Sequence, residues 1–398
     1  MRLLRRLRSA RDGVPENVRA LSWVSLANDL SSELAYPIVP LFLTVTLGTP
    51  VAMIGVIEGV AEGVSVGLRG VAGSLSDRRG GKRLPWVTAG YAATVVARPL
   101  LALAQGWGLV LGARLIDRTG KAIRSAPRDA LLRDSTPDDR LGAAFGYHRA
   151  LDTTGAVFGP LVAVGLLALG LSLRGALWFT LLPALLTLLL VRRVSEAPPR
   201  PRPSRAERAA HGRLPRSLYL PIGIWAVFSL GNSSDAFLLL RAHDLGLSTT
   251  LVVLAYAAYN LVYALLSWPL GTLSDRIGRQ RLLLGGLVVF ALVYLGFAAA
   301  PPTWALWPLF LVYGVYTAAT EGVARAWIAD RAGPMGAGAA YGVFSSATGA
   351  ALLVASVGAG LLWSHVGHWV PFVAGAVSAA AAAVLMLALR GVSSLRAA

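Results

Sequence analysis

An eight-residue phrase is written twice in this chain. Gly73-Ser74-Leu75-Ser76-Asp77-Arg78-Arg79-Gly80 returns, 198 positions later, as Gly271-Thr272-Leu273-Ser274-Asp275-Arg276-Ile277-Gly278. Each copy closes a long apolar stretch and is followed by basic residues and another apolar stretch. Two further matches keep the same order. Gly142-Ala143-Ala144-Phe145-Gly146 returns as Gly338-Ala339-Ala340-Tyr341-Gly342, eight residues after Asp134 and Asp330 respectively. Ser31-Ser32-Glu33 returns as Ser233-Ser234-Asp235. A 398-residue chain that repeats itself at half its length is expected to fold as two related halves.

Composition says what surrounds those halves. Apolar residues make up 55% of the chain, mean hydropathy is +0.61, and 14% of residues are charged, where soluble domains carry roughly 25%. Cysteine is absent, which excludes disulfides and thiolate metal sites. The formal charge of +17 does not point to nucleic acid, because the basic residues collect in alternate gaps between apolar stretches.

The apolar pattern predicts twelve spans, near 20–47, 51–76, 84–104, 108–132, 139–169, 172–191, 217–243, 249–274, 282–300, 304–329, 338–363 and 368–389. Each is long enough for a bilayer core, which takes about 20 helical residues. The expected class is therefore an all-α integral membrane protein of two six-helix bundles. Basic residues crowd the N-terminus (Arg2, Arg5, Arg6, Arg8, Arg11) and the even-numbered gaps. The gaps at 48–50, 105–107 and 301–303 hold no charge. Both termini are thus expected in the cytoplasm, with the chain in the cell membrane. Residues 1–19 are too polar for a cleavable signal peptide. The predicted organisation is a cytoplasmic segment 1–19, a bundle over 20–191, a basic linker over 192–216, a bundle over 217–390 and a tail over 391–398. The linker holds eight arginines and five prolines and reads as a solvated loop.

On these residues the chain resembles the major facilitator superfamily, over nearly its whole length. The Gly-x-Leu-x-Asp-Arg-x-Gly phrase is similar to that family's signature loop. The resemblance implies two bundles rocking about a central cavity, with substrate near the bilayer midplane. It also implies a latch formed by Gly73, Asp77, Arg78, Gly80 and Asp134, repeated as Gly271, Asp275, Arg276, Gly278 and Arg279. The family places a basic residue four after the aspartate. Arg279 stands there in the second copy and Gly81 in the first, with Lys82 as a substitute. Gly146, Gly155, Gly159 and Pro160 resemble the antiporter motif of the family's proton-coupled exporters.

Charge inside the spans marks candidate sites, because an unpaired charge at mid-bilayer costs at least about 2.5–3.5 kcal/mol. The proton-coupling candidates are Asp29, Glu33, Glu58, Glu62 and Asp152. The substrate-binding candidates are Arg69, Arg114, Asp117, Arg118, Lys121, Arg124, His148 and Arg149 in the first half. In the second half they are Asn232, Asp235, Tyr256, Asn260 and Glu321. Arg114, Arg118, Lys121, Ser125 and Arg128 recur at helical steps and are expected to share a face. Glu321 and Arg325, four apart, are expected to pair. The competing reading is a static ion-pair network, with Tyr256, Tyr259 and Tyr263 as core. The first half is expected to carry charge and the second to supply a more apolar wall.

These features point to proton-driven transport of a small polar, zwitterionic or anionic compound or drug, with export favoured over uptake by symport. A transport-inactive sensor is the alternative of another class. No enzyme motif or ATP-binding loop is present. The proton gradient replaces a cofactor, no metal site is expected, and the partners are lipid, substrate and protons, with the chain a monomer.

Overall fold

The computed structural model describes residues 14–78, 82–137, 140–198, 215–332 and 337–395, and these are helical with no strand. The helices are α1 (Glu16–Ala35), α2 (Ile38–Leu41, running into a π turn Phe42–Thr46), α3 (Val51–Arg78), α4 (Leu84–Leu103), α5 (Trp107–Asp134), α6 (Leu141–Ala168), α7 (Leu173–Phe179) and α8 (Leu181–Val191). They continue as α9 (Arg216–Ser229), α10 (Ala236–Asp244), α11 (Thr249–Ile277), α12 (Arg279–Ala298), α13 (Thr303–Ala329), α14 (Ala337–His365) and α15 (Val370–Leu395).

Seven stretches of the described residues are long and apolar enough to cross a bilayer: 84–103, 144–168, 173–191, 249–277, 279–298, 340–365 and 370–388. The other expected spans hold the charges or the breaks. Span 1 stops at Tyr36-Pro37 and span 7 opens over Leu230–Asp235; span 6, although one of the seven, is interrupted at Thr180. At the break the Thr180 carbonyl accepts from Ser31 Oγ at 2.8 Å and from the Ala184 N–H at 3.4 Å, so it is not left unpaired there.

The chain divides into two compact units, Met1–Phe42 with Gly67–Arg202, and Leu43–Val66 with Pro203–Ala398. A division at the linker alone does not anticipate the placing of Leu43–Val66. Its cause is a small-residue seam between α3 and α14. A Cβ on Gly360 would lie 2.9 Å from the Ala52 carbonyl, and one on Gly59 would lie 3.0 Å from that of Leu353. Backbones this close are held by van der Waals packing that larger side chains would prevent.

In the first unit α1 lies against α6 and α8, and α4 against α5. One end is closed by an apolar cluster that includes Val18, Leu21, Val87, Tyr91, Leu131 and Leu132. Val194 and Ala197 belong to it, so the start of the linker is seated rather than solvated. Asn17 ties it down: its Nδ2 donates to the Ser195 carbonyl at 2.9 Å, and its Oδ1 accepts from the Ser195 N–H at 2.9 Å. Glu196 accepts from the N–H groups of Arg83 and Leu84 at 2.9 Å each. A carboxylate there satisfies orphan donors at the start of α4 and meets the positive end of its dipole. Residues 199–214 of the linker lie outside the described residues.

In the second unit α11 and α12 lie against α13, and α9 and α12 against α15. Its centre is aromatic. Phe228 meets Phe290 edge-on at 4.9 Å, and Phe297 meets Phe310 at 5.3 Å, geometries that ring quadrupoles favour.

Candidate functional site

In the first unit a polar cluster lies between α1, α4, α5 and α6. Asp29 on α1 and Asp152 on α6 are neighbours across the α1–α6 contact: a Cβ at Gly155, three residues from Asp152, would lie 3.1 Å from the Asp29 Cβ, and each carboxyl acts on the charge of the other. Two carboxylates have no hydrogen to donate, so a bond between them needs one shared proton. Ser25 Oγ donates to Asp152 Oδ1 at 2.6 Å and accepts from Arg128 Nη1 at 3.1 Å. Arg128 lies 4.0 Å from Asp152, and Arg149 lies 3.3 Å from its other oxygen. Asn28 Nδ2 donates to Asp29 at 3.0 Å, and Lys121 adds positive charge nearby. Both ring nitrogens of His148, a buried residue, lack a hydrogen-bond partner among the described residues. A buried polar group without a partner is uncommon enough to need an explanation.

The close approach of α1 and α6 comes from the glycine motif. A Cβ at Gly155 would fall 2.6 Å from the Leu26 carbonyl, and one at Gly159 would fall 2.8 Å from the Leu34 nitrogen. Gly146 has open space around it, so only part of the motif serves this contact.

The charged residues of α5 do not act as one stripe. Arg124 turns to α4, where Nη1 donates to the Gly90 carbonyl at 3.2 Å and Thr94 Oγ1 at 3.0 Å, with its guanidinium 4.8 Å from the Tyr91 ring. Asp117 faces Arg98 at 3.5 Å, both buried. Arg98 also donates to Ser31 Oγ and Ser32 Oγ at 2.9 Å each. Arg98 was not among the sequence candidates, because a lone arginine in an apolar stretch carries no periodic signal. Arg114 is buried with its guanidinium 5.9 Å from the Tyr36 ring, while Lys121 is exposed and Arg118 half-buried. Glu33 and Glu62 are half-buried and Glu58 is buried. The side chains of Arg69, Asp77 and Arg78, together with Gly73 and Gly80, lie outside the described residues.

Of the latch residues whose side chains are described, Asp134 and Arg279 each hold an ion pair. In the first copy Arg83 pairs with Asp134 at 2.9 Å. In the second copy Arg279 lies 2.7 Å from Asp330 and 3.7 Å from Asp275.

The second unit is less bland than an apolar wall. Asp235 sits where α9 and α10 are interrupted, and accepts hydrogen bonds from Tyr259 at 2.7 Å and Tyr313 at 2.6 Å. Among the described residues no cation pairs with it. Its surroundings are rings: Tyr256 against Tyr259 at 5.1 Å, and Tyr259 against Tyr313 at 5.3 Å. Glu58 and Glu321 add negative charge nearby. Asn232 Nδ2 reaches the Tyr316 hydroxyl at 3.3 Å, and Asn260 is held to the Tyr256 carbonyl at 3.0 Å. Glu321 accepts from Tyr263 and lies 3.6 Å from Arg325. The clue in sequence was Gly231-Asn232-Ser233-Ser234, a run that interrupts a helix by offering side-chain partners to its backbone.

Comparisons with known proteins agree on what this framework is. The family model described as Major Facilitator Superfamily matches residues 21–240 and, a second time, 223–396. An MFS-type transporter of Methanocaldococcus jannaschii is 35% identical over 380 residues, 94% of each chain. The multidrug resistance protein MdtG of Enterobacter lignolyticus is 25% identical over 310 residues, 74% of this chain and 73% of its own. Among solved structures, the nucleoside transporter NupG superposes with a TM-score of 0.75 at 14% identity, over 94% of this chain and 98% of that one. At that identity the likeness shows the fold alone. With its duplicated loop, its helical halves and a family model that fits each of them, the chain belongs to the major facilitator superfamily, a family of membrane transporters rather than enzymes.

Proposed function

We propose that this transporter exports a small polar compound in exchange for protons, with Asp29 and Asp152 as the groups that hold and release the proton. The Asp29–Asp152 contact carries this reading. Two carboxyls that share a proton lose that bond when the proton leaves, and the freed carboxylates then turn to Arg128, Lys121 and Arg149. The proton state of the pair therefore selects between two sets of contacts, a local device for alternating access. Arg128 and the unpartnered nitrogens of His148 suit an anionic group on the substrate. Asp235 and its tyrosines suit a cationic one. A zwitterionic or anionic molecule is the substrate class most in keeping with the first unit. The likeness to a multidrug resistance protein supports export.

In this reading twelve spans cross the cell membrane, with the broken helices α1–α2, α7–α8 and α9–α10 counted as one span each and both termini in the cytoplasm. The protein acts as a monomer and takes its energy from the proton gradient. Reconstitution into proteoliposomes with an imposed pH gradient and a panel of labelled amino acids, organic acids and drugs tests it. Substrate efflux opposed to proton flow is expected, and Asp29→Asn and Asp152→Asn should each uncouple the two. Wild-type coupling in both variants would refute the assignment. Flux parallel to protons would make the protein an uptake symporter, and no flux for any compound would favour a sensor.

A further inference from the structure

The repeat that relates the two units differs at the start of α4 and α12, and the difference is chemical. In the first unit Arg83 precedes α4 and pairs with Asp134. In the second, Arg279 opens α12 and pairs with Asp330; both residues are 196 positions on. In the first unit the N-terminus of α4 is filled by an anion from the chain itself, the Glu196 carboxylate. The stretch 390–398 at the matching offset contains no aspartate or glutamate.

At the corresponding N-terminus of α12 there is instead an open cavity of about 520 Å³. Arg276, Arg279, Arg281 and Arg331 line it, against Asp275 and Asp330. Arg279 lies within ion-pair distance of both aspartates. Arg276 makes no hydrogen bond or ion pair among the described residues. Arg281 and Arg331 each give one donor to a backbone carbonyl, of Ile277 at 3.2 Å and Trp327 at 3.1 Å. A guanidinium has five donors, so most of theirs remain for a ligand. Gly278, at φ +92°, makes the turn into α12; its carbonyl accepts from the N–H groups of Arg281 and Leu282, which leaves those of Arg279 and Gln280 without an acceptor in the helix. Trp327 walls the cavity, with the Arg331 guanidinium 4.8 Å from its ring.

We infer that this cavity is a binding site for a phosphate-type anion, which takes the place that Glu196 fills in the first unit. Guanidinium groups offer phosphate oxygens paired, charge-assisted hydrogen bonds, and a helix N-terminus adds directed N–H groups. The phosphate can be that of an anionic lipid headgroup or free in solution.

Full-length protein in detergent micelles, followed by native mass spectrometry, separates these sources. It is titrated with phosphatidylglycerol, with phosphatidylcholine and, separately, with inorganic phosphate. The site predicts a retained anionic-lipid adduct whose affinity falls about tenfold in Arg276→Gln/Arg281→Gln, as expected for lost charge-assisted bonds. The equal-charge control Arg133→Gln/Arg192→Gln should bind as wild type, and unchanged melting temperatures should confirm that both variants fold. A loss seen with phosphatidylglycerol but no response to phosphate assigns a lipid; a matching loss for inorganic phosphate assigns a free anion. Equal binding by wild type and the Arg276/Arg281 variant, or an equal loss in the control, would overturn the site.

Discussion

Arg83 Nε lies 2.9 Å from Asp134 Oδ2, and the same relationship recurs between Arg279 Nε and Asp330 Oδ2 at 2.7 Å. The two pairs differ in burial. The side chains of the first are 6% and 4% exposed, those of the second 27% and 48%. Removing one partner of a buried pair leaves an uncompensated charge and costs about 3–5 kcal/mol, whereas an exposed pair is worth about 0–1 kcal/mol. Arg83→Ala should therefore lower the melting temperature markedly in thermal unfolding, and Arg279→Ala should barely move it. Similar shifts in both would show that burial does not set the difference.

The glycines of α6 divide by what lies opposite them. Gly155 and Gly159 face the α1 backbone, where an added Cβ would come within 2.6 and 2.8 Å of main-chain atoms. Backbone cannot step aside as a flexible side chain can, so Gly155→Ala and Gly159→Ala should push α1 and α6 apart and separate Asp29 from Asp152. Gly146→Ala meets nothing and removes a flexible residue from a helix, a gain of about 0.8–1.0 kcal/mol in propensity. Detergent melting curves and coupled transport should fall for the first two variants only.

Much of this was legible in the sequence because the relevant signals are periodic. The repeated loop and the spacing of apolar stretches announced helical halves, and the Gly155–Gly159 step announced a close-packed helix face without naming α1 as its partner. Partner choice was less legible. Arg98 gave no pattern, and its pairing with Asp117 depends on how α4 and α5 rotate against each other. Arg83 was hidden by Gly80-Gly81, which moves the basic residue two places along from where the second copy has it. The linker was judged by composition, and composition does not show that Val194 and Ala197 find an apolar cluster to join. The break before Asp235 was written in Gly231-Asn232-Ser233-Ser234, yet hydropathy alone ran the span straight through it.

The Arg98–Asp117 pair distinguishes charge from shape. Arg98 donates to Ser31 and Ser32 while facing Asp117, three acceptors reached by one planar fork. A lysine keeps the charge but is a compact ammonium on a flexible stem that cannot span them. Arg98→Lys should therefore lower stability by about 1–3 kcal/mol, the range for buried groups left unpaired, in chemical or thermal unfolding. Wild-type stability in Arg98→Lys would mean that charge alone suffices.

Asp235 permits a test that separates support from recognition. Tyr259 and Tyr313 each donate to its carboxylate, and a hydrogen bond to a charged group contributes about 1.5–3 kcal/mol. Tyr259→Phe and Tyr313→Phe should each lower stability, with energies that do not add, since both act on one acceptor. Replacing the donors and the acceptor together, as Tyr259→Phe/Tyr313→Phe/Asp235→Leu, leaves no orphaned polar group and should recover most of the loss. If Asp235 contacts substrate, that triple variant will melt near wild type and still fail to transport. Transport returning with stability would show that the carboxylate holds helices together and nothing more.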